Sequence, residues 1–224
     1  MAMRALFFDV FGTCVDWRTS VRRELRARGL PEDLADAWRG LYQPQLETVR
    51  SGAREWVDLD VLHREALDRL LAERDLTVAD PAELNRAWHR LDPWPDVVPG
   101  LTRLKARCIV APCSNGHIAQ SVALARYAAL PWDVILGAEI ARAYKPQPEV
   151  YLRSAAALKL EPREVTMVAA HNGDLEAAQA LGFGTAFVPR PGEHGPDQAS
   201  DLDPTGDWDV VARDFRELAE RLAT

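Results

Sequence analysis

Residues 6–16 read LFFDVFGTCVD: an apolar run, Leu6-Phe7-Phe8, delivers a single acid, Asp9, into a turn containing Gly12 and Thr13. Bulky apolar residues without alternation suit a short strand buried on both faces, as in a parallel sheet. A carboxylate closing such a strand stands at the edge where α/β proteins hold their ligands. Two places on stands Phe11, not a second acid.

Similar apolar runs recur at 108–114, 134–136, 166–170 and 185–189, the first being 5–10. Helical patterns separate them, at 118–129, 148–158 and 175–181, the last stopped by Gly182. This alternation predicts an α/β fold with a doubly wound, mainly parallel, Rossmann-like sheet. Residues 17–91 break the rhythm. They hold no convincing strand but several amphipathic helices, one with Leu62, Ala66, Leu67, Leu70 and Leu71 on a single stripe. Another runs through Leu34, Trp38, Leu41 and Tyr42, with Pro44 expected to kink or end it. Asp92-Pro93-Trp94-Pro95 reads as a return linker. The expected organisation is a core of 1–16 and 96–224 with an inserted helical domain at 17–95. Residues 191–207 read as loop, and 211–222 as a final helix.

The 224 residues are 47% apolar and 27% charged, enough for one good core. A net charge of −7 argues against nucleic acid or an anionic membrane as partner, while leaving room for a small anionic substrate. No run approaches the roughly 18 apolar residues of a membrane span. Met1-Ala2-Met3-Arg4 leads straight into a strand and not into a signal peptide, so the cytoplasm is the expected address. Cys14, Cys108 and Cys113 are odd in number and lack metal spacing, so reduced packing thiols are expected.

Each core strand ends in polar residues: Asp9, then Ser114-Asn115-Gly116, then His171-Asn172-Gly173-Asp174, with Tyr144-Lys145-Pro146 between the last two. A lone Asp after a strand is commonly a turn former. Four polar clusters converging on one sheet edge indicate a site.

In this order, Asp9 with Gly12-Thr13, Ser114-Asn115, Lys145-Pro146 and Asp174 resemble the motifs of the haloacid dehalogenase superfamily, with the helical insert where that family carries its cap. Most members are magnesium-dependent phosphatases with a second acid two residues after the nucleophile and a metal-binding acid four residues before the last one. Phe11 and Ala170 stand there instead. A departing alkoxide needs a general acid, whereas a halide leaves unprotonated. Without a carboxylate at 170, magnesium lacks a hard oxygen ligand. The resemblance therefore narrows to the L-2-haloacid dehalogenases, which use no metal or other cofactor. It implies that Asp9 attacks the carbon bearing halogen, that water then hydrolyses the Asp9 ester, and that short 2-haloacids and halide are the ligands. Lys145 would keep Asp9 ionised, with Thr13 hydrogen-bonding beside it. Ser114, Asn115 and the backbone N–H groups of Val10 and Phe11 would hold the substrate carboxylate. Asp174 would orient water or the lysine, Tyr151 would line the site, and Arg39, in the segment Trp38-Arg39 with Gln43, would face the leaving halide. A homodimer is common among similar proteins.

Two departures stand out. Ala169-Ala170-His171 replaces a Ser-Ser-Asn run, and Gly173 stands where tryptophan is common. His171 is expected to donate to halide or manage the hydrolytic water, with Asn172 beside it at the substrate. Chains with this His include members acting on fluoroacetate. The rival expectations are a phosphatase or phosphotransferase on the same fold, opposed by Phe11 and Ala170, and a non-catalytic binding protein on that scaffold.

Overall fold

The computed structural model describes residues 3–223, so the lead-in expected at Met1 and Ala2 lies outside the described residues. Eight strands form: β1 (Ala5–Phe8), β2 (Val15–Asp16), β3 (Asp92–Pro93), β4 (Ile109–Ser114), β5 (Leu136–Gly137), β6 (Val165–Ala169), β7 (Gly184–Phe187) and β8 (Val210–Val211). Six of them make one sheet in the order β5-β4-β1-β6-β7-β8, every neighbouring pair parallel. The first strand thus lies centrally, which explains its composition. Leu6 and Phe8 enter one apolar cluster, Ala5 and Phe7 the opposite one, and all four are fully buried. Burial of each phenylalanine contributes roughly 1.5–3 kcal/mol.

The helices are α1 (Trp17–Arg26), α2 (Leu34–Gly40), α3 (Tyr42–Arg50), α4 (Leu59–Glu73), α5 (Pro81–Asn85), α6 (Val97–Lys105), α7 (Ile118–Ala128), α8 (Ala138–Ala141), α9 (Pro148–Ala157), α10 (Asn172–Ala180) and α11 (Phe215–Arg221). From α1 to α5 the chain is helical, as the sequence implied. β2 and β3 pair antiparallel at the two ends of this segment, Val15 opposite Pro93 and Asp16 opposite Asp92. The expected linker therefore begins as a strand. Aromatic packing joins the segment to the sheet edge: the Trp88 ring stacks on Trp17 at 6.1 Å and meets Phe11 edge-on at 6.3 Å.

Three further expectations are corrected. Pro44 neither kinks nor ends a helix: α2 stops at Gly40, and Pro44 is the third residue of α3. There its missing N–H forfeits no intrahelical bond. Residue 211 is not helical either. Val210 and Val211 extend the sheet beside β7, and α11 begins at Phe215, where Asp214 caps it by accepting from Glu217 N at 2.8 Å. Helix α10 begins at Asn172, earlier than the expected 175. Among the described residues no helix is long and apolar enough to cross a membrane.

Candidate active site

Asp9 follows β1 directly, and its N–H donates to Val168 O at 3.0 Å, so the ladder with β6 continues through it. The chain then turns sharply. Cys14 and Val15 N–H groups both donate to Val10 O, and Gly12 adopts φ +90°. That turn aims Thr13 back: its Oγ1 donates to Asp9 Oδ2 at 2.7 Å and accepts from Ala170 N at 2.9 Å. The position where a phosphatase would carry an acid thus serves here through its backbone.

Lys145 reaches the same carboxylate from the loop before α9, which it enters through a cis bond to Pro146. Its Nζ donates to Asp9 Oδ1 at 2.8 Å and to Asp174 Oδ2 at 2.5 Å, and Tyr151 donates to Asp174 Oδ1. At the end of β4, Asn115 fixes the lysine's backbone, its Oδ1 accepting from Lys145 N at 2.7 Å. His171, capping α10, places Nδ1 at 3.1 Å from Asp9 Oδ2 and Nε2 at 2.9 Å from Glu193 Oε2. Trp17 Nε1 donates to Glu193 Oε1 at 3.0 Å.

The electrostatics follow from this crowding. Burial opposes charge on Asp9, but the Lys145 ammonium and then His171 outweigh it and hold the carboxyl well below the usual range. Burial pushes Asp174 upward, Lys145 opposing and Asp9 adding. Lys145 is raised despite burial, by Asp174 and then Asp9. His171 is likewise raised well above its ordinary value, because its bonds to Asp9 and Glu193 exceed the cost of burial. The ground state is an ionised Asp9 between two cations. The cysteines match expectation: all are free, and burial pushes Cys113 up to about 12 and Cys108 to about 11. Cys14 Sγ donates to Asp9 O at 3.1 Å.

A cavity of about 780 Å³ opens over this group. Asp9, Phe11, Asn115, Lys145, Tyr151, His171 and Asp174 line it from the sheet edge, and Trp17, Arg39, Tyr42 and Arg50 from the helical segment. The Arg39 guanidinium lies 4.1 Å from the Tyr42 ring centre and 5.4 Å from that of Trp17, and its buried Nη1 has no hydrogen-bond partner. A cation with a nitrogen free of hydrogen bonds, in the same cavity as an ionised carboxylate, suits an anion arriving between them.

Two expected substrate contacts lie elsewhere. Asn172 turns away from the cavity: its Nδ2 donates to Asp201 Oδ1 and Asp203 O, and its Oδ1 accepts from Thr205 N and Trp208 Nε1. It pins the following loop, because four polar groups of that loop claim its amide. Ser114 sits behind Asn115, its Oγ accepting from Gly116 N at 3.2 Å, and does not line the cavity. Val10 is buried, and its carbonyl accepts from Cys14 and Val15 in the turn, which leaves its expected backbone N–H uncommitted. Conversely, Glu193 was invisible in the sequence. It lies in an irregular loop far along the chain, and its one indirect trace is Gly12, where a Cβ would fall 2.1 Å from Glu193 Oε1. Among the described residues one group gathers ligand atoms for a metal, His171, Glu193 and His194, within 4.8 Å of one another. Both Glu193 oxygens there already accept, from Trp17 and His171.

The model of the haloacid dehalogenase-like hydrolase family matches residues 3–182. (S)-2-haloacid dehalogenase 1 of Pseudomonas sp. (strain CBS-3) is 32% identical over 196 residues, 84% of this chain and 85% of that protein. Among solved structures, the defluorinating L-2-haloacid dehalogenase Rha0230 is 50% identical with a TM-score of 0.96, covering 99% of this chain and 96% of that one. The L-2-haloacid dehalogenase PA0810 is 45% identical, again with a TM-score of 0.96, covering 99% of each. The family model and these relatives show that the chain belongs to the haloacid dehalogenase-like hydrolases, within their L-2-haloacid dehalogenase family.

Proposed function

We propose that this protein hydrolyses the carbon–halogen bond of short 2-haloacids through an ester on Asp9. The observation that carries the reading is an ionised, buried Asp9 and the Arg39 cation, whose Nη1 has no hydrogen-bond partner, lining one cavity where Phe11 and Ala170 replace the acids of phosphoryl transfer. Asp9 attacks the α-carbon from the side opposite the halogen, and the halide leaves with the bonding pair toward Arg39. Phe11 suffices beside it because halide needs no proton. Asn115 and Tyr42 hold the substrate carboxylate; Tyr42 Oη accepts from Asn115, which leaves its own hydrogen for the substrate. Water then attacks the Asp9 carbonyl carbon. Asp174, held by Lys145 and Tyr151, takes its proton, and 2-hydroxy acid departs. Carboxylate, water and fixed cations supply every step, so the reading calls for no metal or organic cofactor.

In the same reading residues 17–95 act as the cap that closes the cavity, supported by the Arg39, Tyr42 and Arg50 side chains they bring to it. The defluorinating relative supports extending the substrates to fluoroacetate. The cytoplasmic address and the homodimer implied by the resemblance belong here too, and light scattering tests the dimer.

The test is halide release from chloroacetate, fluoroacetate and both enantiomers of 2-chloropropionate, without added metal. Release from at least one of them, abolished by Asp9→Asn, is expected. No release by the native protein from any substrate overturns the reading, and magnesium-dependent turnover of a chromogenic phosphate ester would favour phosphoryl transfer.

A further inference from the structure

The two oxygens of Asp9 are not equivalent. Oδ2 accepts from Thr13 Oγ1 at 2.7 Å and faces His171 Nδ1 at 3.1 Å, whereas Oδ1 has Lys145 Nζ alone, at 2.8 Å. A carboxylate oxygen offers about two acceptor sites. Oδ2 is therefore saturated, and Oδ1 keeps a lone pair free. His171 is equally constrained. Each ring nitrogen faces a carboxylate oxygen, Asp9 on one side and Glu193 at 2.9 Å on the other. Only an imidazolium, donor at both nitrogens, satisfies both. Glu193 is fixed for this task, nearly fully buried, held by Trp17 Nε1 and packed where Gly12 lacks a side chain.

We propose that Oδ1 is the attacking oxygen, so that Oδ2 becomes the ester carbonyl oxygen, and that His171, kept cationic by Glu193, donates to this oxygen while the ester is hydrolysed. The inference rests on Asp9 being the nucleophile and names the group that stabilises the second half of its cycle. In the first half the Oδ1–carbon bond forms, the carbon–halogen bond breaks, and halide takes the electron pair. In the second half a water oxygen bonds to the Asp9 carbonyl carbon, its proton passes to Asp174, and the carbonyl pair moves onto Oδ2. That oxyanion already lies against Thr13 Oγ1–H and His171 Nδ1–H. Collapse breaks the bond from the carbonyl carbon to Oδ1, so Oδ1 leaves in the hydroxy acid and takes a proton from Asp174. The new carboxylic acid loses its proton to solvent, and water's oxygen remains in Asp9.

His171 touches a reacting atom and is catalytic, while Glu193 acts through it as a positioning residue. The charges around the ring are Asp9 and Glu193 in contact, with Lys145 beyond Asp9, and Arg39 and His194 beside Glu193. A preorganised charged donor at a developing oxyanion is worth ~10²–10³-fold in rate.

The test separates the two half-reactions for the native enzyme, Glu193→Gln and His171→Asn, using excess chloroacetate. In both variants ester hydrolysis is expected to slow by ~10²-fold or more and by far more than alkylation, so that the ester accumulates. Each then gives a burst of chloride equal to the enzyme present, and the Asp9 peptide gains a carboxymethyl group. ¹⁵N NMR of the native enzyme at neutral pH should show His171 protonated on both nitrogens, and Glu193→Gln should lose that signature. A neutral His171 in the native enzyme, native-rate ester hydrolysis in either variant, or equal slowing of both halves without ester accumulation overturns the proposal. Failure of the native enzyme to release any halide would instead overturn the Asp9 reading beneath it.

Discussion

Asn115 Nδ2 donates to Tyr42 Oη at 2.9 Å, so one amide at the end of β4 links the helical segment to the loop that carries Lys145. Tyr42→Phe leaves that amide donor unpaired in a buried wall and removes the hydroxyl hydrogen offered to substrate. A buried donor left unsatisfied costs about 1–3 kcal/mol. The KM for chloroacetate is expected to rise by about tenfold or more, with a smaller change in kcat. Steady-state chloride release measures both. A lowered kcat at unchanged KM would remove Tyr42 from substrate binding.

Lys145 is the sole ammonium between two buried carboxylates. Lys145→Met leaves Asp9 and Asp174 without it, and breaking a buried pair costs about 3–5 kcal/mol. Urea unfolding should register that loss, and halide release should fall steeply because Asp9 loses the stronger of the two cations that hold it ionised. A variant of native stability and activity would contradict the pairing.

Three residues of the site were legible in sequence because each belongs to a contiguous motif closing a strand: Asp9 after β1, Asn115 after β4, Asp174 in the first turn of α10 after β6. The sheet was legible for the same reason, as its strands are short apolar runs. What escaped detection depends on tertiary contact alone. Glu193 and Arg190 stand in or beside an irregular loop with no periodicity, and their partners Trp17 and Thr13 come from the start of the chain. Asn172 misled in the opposite sense. Its place beside His171 suggested substrate, but the loop around 201–208 takes up its whole amide. β8 escaped because two valines before a helix carry no strand signal of their own.

Gly12 gives a direct probe of the missed Glu193. Its φ of +90° disfavours any side chain, and a Cβ would lie 2.1 Å from Glu193 Oε1. Gly12→Ala is expected to lose about 1–3 kcal/mol through backbone strain, more if the buried carboxylate is pushed aside. Chloride release should fall with it. Full activity at native melting temperature would show the contact to be unimportant.

Arg190 clasps the structure behind the nucleophile turn. Its Nη1 and Nη2 donate to the two Asp96 oxygens at 2.8 and 2.9 Å, and its Nε to Thr13 O at 2.8 Å. Asp96 also accepts from Phe215 N, so the start of α6, α11 and the Asp9 turn share one ion pair. Lysine keeps the charge but lacks the planar fork. Arg190→Lys is expected to cost about 1.5–3 kcal/mol in chemical unfolding, from lost charged hydrogen bonds. A cost indistinguishable from zero would mean the fork geometry is dispensable.

The imidazolium of His171 gives stability a pH signature. Its folded value is raised well above 6.5, so protonation is favoured by folding. That contribution is fully present below 6.5, where the unfolded chain is also protonated, and is lost as pH rises through the raised folded value. Glu193 works in the other direction. Burial raises its value but the bond to His171 lowers it further, so its contribution is present above 4.5 and lost as pH falls through the lowered value. The stability gap between the native protein and His171→Asn should therefore be widest between 4.5 and 6.5, narrowing on both sides. Unfolding midpoints measured across a pH series test this. A gap that widens steadily above 6.5 would mean that His171 folds neutral, against the two carboxylates that face it.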